Sequence, residues 1–305
     1  MNVVVLLSTY NGEQYIEEQL ESILNQKHCT VTLVVRDDMS TDKTCDILDA
    51  YRKKGKLQWY RDGENLGAAK SFMRLLIQAP EADYYSFADQ DDVWKSDKLS
   101  HALSVLDGRS EPAVYYSNAA LVDRELHSLG GTVYHGQQKP SLLMALCSCN
   151  VLGCTMVINR ALADIIRRGD EPQRLLMHDN YICAACAVCD GSILYDNYVS
   201  MLYRQHEKNV VGAKVDHSLV SRAREKVKWI TQCRTVSIGD QCNELLATVN
   251  SMSEEGHRYA QMVANYRDSA AIRIKLCVML IQLVAKKRAT KHELLNAAKI
   301  LFGNA

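Results

Sequence analysis

The feature that most restricts the fold is a recurring unit: a short apolar run, a polar or acidic loop, then a helical stretch. From Val3 to Leu7 five apolar residues, three of them valine, lead into Ser8-Thr9-Tyr10-Asn11-Gly12, which reads as a buried strand delivering a polar loop. A helix is expected from about Glu13 to Asn25. The unit recurs with a strand at Val31–Val35 ending in Arg36-Asp37-Asp38, a helix from about Thr41 to Arg52, a strand at Leu57–Tyr60 and a helix from about Ala68 to Ile77. A fourth strand, Tyr84–Ala88, runs into Asp89-Gln90-Asp91-Asp92. Strands alternating with helices imply right-handed crossovers and a mainly parallel α/β sheet, with its ligand site beyond the carboxyl ends of the strands. The loops after the first, second and fourth strands should therefore converge.

Past Lys95–Leu106, a further expected helix, the pattern becomes mixed. Strands are expected near Ala113–Val122 and Thr155–Ile158, a helix across Asp179–Cys189, and two separate strands near Ser192–Tyr195 and Val199–Tyr203. The stretch from Arg124 to Pro140, with Gly130-Gly131, reads as a mobile loop. Beyond about Asp216 glycine and strand signals thin out, so a boundary near residue 215 is expected to divide a region 1–215 from a helical appendage, 216–305.

The chain carries 36 basic and 36 acidic residues, so no global field attracts nucleic acid, and any anion must be bound locally. Eleven cysteines in 305 residues, with no charged n-region and cleavage site at the start, fit reduced thiols in a cytoplasmic protein better than a disulfide framework. Cys183, Cys186 and Cys189 are three apart, but no fourth cysteine follows at the offset an iron–sulfur cluster needs, and on a helix they pack as small hydrophobes. Leu276 to Ala285 is about half the roughly 20 residues that cross a bilayer, so no transmembrane span is expected. Ile272–Ala285, with Arg273, Lys275, Lys286, Lys287 and Arg288 in and beside it, suits either a helix on an anionic membrane surface or one packed on the rest of the chain or a second subunit of a homo-oligomer.

Asp89, Asp91 and Asp92 stand at a strand end, where alternation can aim carboxylates into one pocket. Like charges so crowded repel unless something positive is shared. Hard oxygen donors suit Mg2+ or Mn2+, which leave positions open for phosphate oxygens. An acidic turn capping the next helix is the plainer alternative, but a second acidic pair, Asp37-Asp38, closes the neighbouring unit.

At this point the first ~215 residues resemble family 2 glycosyltransferases. The residues that carry the likeness are Ser8-Thr9-Tyr10-Asn11-Gly12, Asp37-Asp38-Met39-Ser40-Thr41-Asp42, Asn65-Leu66-Gly67, and Asp89-Gln90-Asp91-Asp92-Val93-Trp94 followed by Asp97-Lys98-Leu99. Gly153-Cys154-Thr155-Met156, His178-Asp179 and Tyr203-Arg204-Gln205-His206 with Asn209 and Gly212 continue it. Two segments, Asp-Gln-Asp-Asp-Val-Trp and Tyr-Arg-Gln-His, look most like bacterial rhamnosyltransferases of surface polysaccharide assembly. Met39 departs from the family, which usually has glycine, asparagine or serine there. His178 stands where the family often has glutamate.

The resemblance implies a nucleotide-sugar-binding, Rossmann-like glycosyltransferase A fold with a mixed, mainly parallel sheet. It implies a metal-dependent, inverting transfer with Mn2+ or Mg2+ as cofactor. Thr9, Tyr10, Asn11, Asp38, Lys70, Asp89 and Asp91 would bind the nucleotide-sugar, with Asp38 accepting from the N3–H of uracil or thymine. Asp91, Asp92 and His206 would hold the metal, and Asp179 would be the general base that deprotonates the acceptor hydroxyl. Cys154, Thr155 and His178 would lie near the acceptor. Without the resemblance, Lys70 reads equally as a surface lysine, His178-Asp179 as a helix N-cap, His206 as a structural histidine and Cys154 as a packed thiol.

The implied donor is dTDP-rhamnose, or alternatively a UDP-hexose. The implied acceptor is a glycan or lipid-linked hydroxyl at the inner face of the cell membrane. A magnesium-dependent phosphoryl-transfer enzyme and a non-catalytic binding protein are the readings outside this class.

Overall fold

β1 (Asn2–Thr9) is apolar on both faces, which suits a strand covered from both sides. Val3, Val5 and Leu7 point into one core, Val4 and Leu6 into the other, and all five are fully buried. In the computed structural model, which describes residues 1–138, 140–147, 149–206 and 236–285, β1 pairs in parallel with β2 (Thr30–Asp37) and β4 (Tyr84–Ala88). β2 pairs in parallel with β3 (Gln58–Tyr60). The helices α1 (Ile16–Leu24) and α2 (Thr44–Lys53) cover one face through Ile16, Leu20, Ile23 and Leu48. On the other face lies α3 (Gly67–Gln78), packed through Phe72, Met73, Leu75 and Leu76.

The rest of the sheet is mixed, as the resemblance implies. Among the described residues the strand order is β3-β2-β1-β4-β8-β6-β9-β5, with β7 paired to β6 off this path. A two-residue strand, β5 (Val93–Trp94), precedes α4 (Lys98–Leu106) and β6 (Ala113–Val122). The chain continues through β7 (Ser128–Thr132), α5 (Leu142–Cys147), a 3-10 turn at Gly153–Thr155, β8 (Met156–Asn159), α6 (Arg160–Arg167), α7 (His178–Val188) and β9 (Ser192–Arg204). Because β8 runs antiparallel to β4, the turn before it arrives at the carboxyl end of β4. Because β5 and β9 are antiparallel, the end of β9 lies beside Asp91 and Asp92. Antiparallel pairing therefore delivers two later segments to the edge where the parallel strands end.

Two expectations about elements are corrected. The stretch Arg124–Pro140 is not wholly a loop: Ser128–Thr132 forms β7, an edge strand whose exposure accounts for its polar, glycine-rich sequence. The two strands expected at Ser192–Tyr195 and Val199–Tyr203 are one, β9. Its pairing with β6 skips Asn197 and Tyr198 between Ser117↔Asp196 and Asn118↔Val199, so a bulge breaks the apolar pattern without ending the strand.

The boundary expected near residue 215 falls outside the described residues. Beyond it come α8 (Ile238–Thr248), α9 (Glu254–Ala264) and α10 (Ala270–Ala285). Ile238, Cys242, Leu245, Ala260 and Val263 are buried in the same core as α3 and α7. Ser237 caps α8 in a reciprocal capping box with Asp240. α10 buries Leu276 and Leu280 but leaves Ile274, Val278 and Ile281 exposed. Among the described residues no helix is long and apolar enough to cross a membrane.

α9 enters this core so closely that a Cβ on Gly256 would lie 2.1 Å from the carbonyl oxygen of Val188. Gly256→Ala should therefore force α9 away from the end of α7 and cost about 1–3 kcal/mol. Chemical denaturation checks it: an unchanged midpoint would mean that α9 contributes nothing to the fold through this contact.

Candidate active site

The nucleotide half is built where β1 and β2 end. Arg36 is fully buried at the end of β2, and its guanidinium donates to Asp38 Oδ1 at 2.6 Å, to Asp62 Oδ1 at 2.5 Å and Oδ2 at 3.0 Å, and to Ser71 Oγ at 2.9 Å. Burial alone would pull the pKa of this guanidinium down; Asp62 and Asp38 outweigh that and raise it. Asp62 is held below the usual carboxylate range chiefly by its hydrogen bonds from Arg36. The Asp38 carboxylate also accepts from the backbone N–H of Leu66 at 2.7 Å and of Gly67 at 2.8 Å, so it ties β2 to the first turn of α3. Oδ1 is thereby saturated, while Oδ2 takes one donor and retains acceptor capacity.

Neighbouring groups lock the same shelf. Asp37 is bound by Arg61, whose Nε donates to Oδ1 at 2.8 Å. Thr41 N–H donates to Asn11 Oδ1, and Asn11 N–H to Ser40 Oγ, both at 2.8 Å. Met39 has φ +74°, a left-handed conformation that glycine and asparagine adopt more readily, which gives the family's preference at this position a backbone cause. Thr9 Oγ1 donates to Gln90 Oε1 at 2.5 Å, and Tyr10 N–H donates to the same oxygen at 2.9 Å. Tyr10 is half exposed beside them. Lys70, in the first turn of α3, reaches Gln173 Oε1 at 3.4 Å across the surface.

The acidic half follows β4. Asp91 and His206 come together, with Nε2 2.7 Å from Asp91 Oδ2 and the imidazole stacked on Tyr15. Asp92, expected with them, is fully buried next to the Asp91 carboxylate and groups also with Asp89 and Cys154, each of these three offering a ligand atom within 4.8 Å of the others. One Asp92 oxygen accepts from Arg204 N–H at 3.1 Å; the other is buried without a hydrogen-bond partner. Burial first, and the Asp91 carboxylate second, push Asp89 up to about 7. Asp92 is driven up by burial and by both neighbours. Two crowded, buried carboxyls whose pKa values are both raised, with one orphaned oxygen, describe a donor set short of positive charge, which fits a divalent cation.

The turn Gly153–Thr155 closes the site. Gly153 N–H donates to Asp179 Oδ2 at 3.1 Å, while Asp179 Oδ1 accepts from Asn180 N–H at 2.6 Å and from the Asn180 amide at 2.9 Å. Asp179 stands in the first turn of α7 and ranks among the charges that act on Asp89. His178 lies in the core rather than on an open acceptor face, between Phe72 and Phe87 at 4.2 and 5.3 Å, with neither ring nitrogen hydrogen-bonded. A Cβ on Gly153 would meet His178 Nε2 at 2.4 Å, so glycine is required there. Thr155 is buried with its hydroxyl on Leu152 O, and Cys154 is buried with its thiol pKa raised by burial and by Asp92 and Asp89.

Three site residues carried no role in the sequence reading. Arg36 and Gln90 organise the shelf, and Lys98 is buried against the Gly153–Thr155 turn. Its ammonium donates to Cys154 O and sits 3.6 Å from the centre of the Trp94 ring. Burial pulls it down to about 7 against the opposing pull of Cys154, Asp92 and Asp89. The signal for Arg36 was a charge at the inner end of a buried strand; Lys98 stood in the Asp97-Lys98-Leu99 segment of the resemblance, which gave it no role, and a lysine in a first helical turn otherwise reads as solvated.

A parallel half-sheet with a polar shelf and an acidic cluster at its carboxyl edge is the architecture of a nucleotide-binding α/β enzyme. A sequence profile of Glycosyl transferase family 2 matches residues 4–163, more than half of the chain. A dTDP-rhamnosyl transferase of Shigella flexneri is 31% identical over 232 residues, covering 68% of this chain and 74% of that protein. The chain therefore belongs to glycosyltransferase family 2. A putative teichuronic acid biosynthesis glycosyltransferase of Bacillus subtilis is 38% identical over 109 residues, 35% of this chain and 43% of that protein. In fold, the chain is similar to Staphylococcus aureus TarS 1–349 in complex with UDP-GlcNAc, with a TM-score of 0.55 at 19% identity over 99% of this chain and 90% of that one. It is also similar to a Pyrobaculum calidifontis mannosyltransferase in complex with GDP-Man and Mn2+, at 0.52 and 16% over 99% and 88%.

In chelator, the raised Asp89 gives a stability signature. The folded chain keeps this proton up to about pH 7, whereas an unfolded aspartic acid loses it near about 4. Stability therefore declines as pH rises from about 4 to about 7 and stays lower above. Across that window wild type should lose melting temperature relative to Asp89→Asn; parallel curves would show that Asp89 titrates normally.

Proposed function

We propose that the chain transfers L-rhamnose from dTDP-rhamnose to a hydroxyl of a glycan or lipid-linked acceptor in cell-surface polysaccharide assembly, by a metal-dependent displacement that inverts the anomeric centre. The observation that carries the sugar assignment is the 31% identity to a dTDP-rhamnosyl transferase over 68% of this chain. The site geometry supports the chemistry. Asp38 Oδ2 retains capacity to accept from the N3–H of a thymine or uracil ring, with Thr9, Tyr10, Asn11 and Lys70 around the base. Asp89 faces the ribose, and Asp91, Asp92 and His206 are the residues that would hold Mn2+ or Mg2+. When bound, the ion supplies positive charge to the departing nucleoside diphosphate.

Asp179 is the base in this reading. Among the described residues its carboxylate accepts from the N–H groups of Gly153 and Asn180, which hold it in place to receive the acceptor's proton as the hydroxyl oxygen attacks. Gly153 and Asn180 orient it. Cys154 and Thr155 keep the turn in place beside it.

The test is calorimetric titration with dTDP-rhamnose, UDP-glucose and UDP-galactose, each with Mn2+ and with chelator, followed by turnover. Metal-dependent binding of dTDP-rhamnose alone is expected. Asp179→Asn should keep that binding and lose about 10²–10⁴-fold in turnover. Selective binding of a UDP-hexose would replace rhamnose in the assignment, and undiminished turnover in the variant would remove Asp179 as the base.

α10 supports a place at the inner membrane surface. Ile274, Val278 and Ile281 are exposed at helical spacing with Lys275 between them, and the sequence continues as Lys286-Lys287-Arg288. The full chain should co-sediment with phosphatidylglycerol vesicles and less with phosphatidylcholine ones, and Ile274→Glu with Val278→Glu should abolish this. Equal sedimentation of the variant would assign the stripe to packing on protein.

A further inference from the structure

The geometry points to Lys98 as a positioning residue: a built-in cation that balances the inner carboxylates and, through the Cys154 carbonyl, holds the turn that orients Asp179. The inference rests on the reading of the Asp89–Asp92 cluster as the metal and donor site.

Lys98 opens α4, a position where a lysine ordinarily extends into water, yet it is 1% exposed. Its side chain runs inward to the turn before β8 and to β5 and β9. The ammonium donates to Cys154 O, lies 3.5 Å from Met201 Sδ and rests on the face of Trp94. The ionisable groups acting on it are the Cys154 thiol, Asp92 and Asp89, all on the acidic side of the site. A methionine would fill this space without the cost of burying an ammonium, so packing alone does not explain a charge here. What the charge offers is compensation for Asp89 and Asp92, which are crowded with Asp91 at the same strand end.

The hydrogen bond gives Lys98 a second effect. Cys154 O is its acceptor, and the adjacent residue, Gly153, gives its N–H to Asp179 Oδ2. One rigid turn thus connects a cation under the metal half to the carboxylate of the acceptor half. Met156, directly after the turn, is fixed in β8, and Thr155 Oγ1 donates back to Leu152 O, so little slack remains between the two ends.

These effects separate by substitution. Lys98→Gln removes the charge but keeps a donor for Cys154 O; Lys98→Met removes both. With an opposing cation gone, both variants should bind Mn2+ in the absence of donor at least roughly tenfold tighter than wild type, read from the electron paramagnetic resonance of free Mn2+. Only Lys98→Met should lose turnover, by about 10²-fold, at a nearly unchanged KM for the donor, because only there is the turn released. A residue that merely supports the fold would weaken both metal binding and turnover.

Mn2+ binding no tighter in either variant overturns the charge role, and equal loss of turnover in both overturns the turn role. Wild type that binds no Mn2+ would instead remove the metal reading beneath the inference. If Lys98→Met does not fold, combining it with Asp92→Asn decides: pairing predicts that removing the opposing carboxylate restores a cooperative thermal transition in the double variant, and a double variant that stays unfolded while Asp92→Asn alone folds overturns it.

Discussion

Crowding of like charges at the end of β4 sets the terms for the whole site. Asp89, Asp91 and Asp92 are placed there by a strand that cannot move, since Tyr85, Phe87 and Ala88 are fully buried on either face of the sheet. The nucleotide half shows how the same fold treats carboxylates that need no exogenous partner. Asp37 is matched by Arg61, Asp38 by Arg36, and Asp62 by Arg36 and Arg74. Guanidinium forks suit such fixed pairing, and the shelf they build is rigid before any ligand arrives. Around the β4 cluster Arg204 turns its guanidinium to the Asp91 carbonyl and to Glu18 rather than to a carboxylate of the cluster, and burial works against charge on Lys98. One half of the site is electrostatically complete; the other is a crowded donor set of the kind that suits a cation.

Topology explains why two remote segments serve that acidic half. In a purely parallel sheet the turn before β8 would lie at the opposite edge, whereas β9, parallel to β6 and so running in the direction of β4, ends at the carboxyl edge. Reversing β8 brings Gly153–Thr155 next to Asp89, and pairing β9 antiparallel with β5 brings Arg204 and His206 next to Asp91 and Asp92. Arg204 then fastens the acidic loop: its backbone N–H donates to Asp92, its Nε donates to Asp91 O at 2.8 Å, and its guanidinium lies over Tyr15 and pairs with Glu18.

The parallel half was legible because continuous apolar runs with polar ends have few alternatives. Val3–Leu7, Val31–Val35 and Tyr84–Ala88 all lie within strands that end in site residues. What escaped was structure whose cause is distant in sequence. β5 is two residues long and exists because β9 pairs with it; β7 is polar because it is an edge; the β9 bulge hides a single strand behind Asn197 and Tyr198. The same holds for side chains. Tyr-Arg-Gln-His and His-Asp could be placed by resemblance, yet the burial of His178 against Phe72 and of Lys98 against Trp94 follows from contacts that no local pattern encodes.

The carboxylate in α7 depends on residues far from any substrate. Every residue of α7 except Asn180 is buried, and the spacing that superficially resembles a metal motif places Cys183 and Cys186 among Ala184, Ala185 and Ala187 as small side chains that let other layers approach. Gly191 passes so close to Cys186 that a Cβ would lie 2.5 Å from its sulfur, and the backbone of Gly256 abuts Val188. Tyr181 and Thr248 share a 2.6 Å hydrogen bond that ties α7 to α8. Asp179 is thus positioned from two sides, by the Gly153 turn at its carboxylate and by α8 and α9 along its helix. The carboxy-terminal helices are, in this sense, part of the scaffold that positions Asp179.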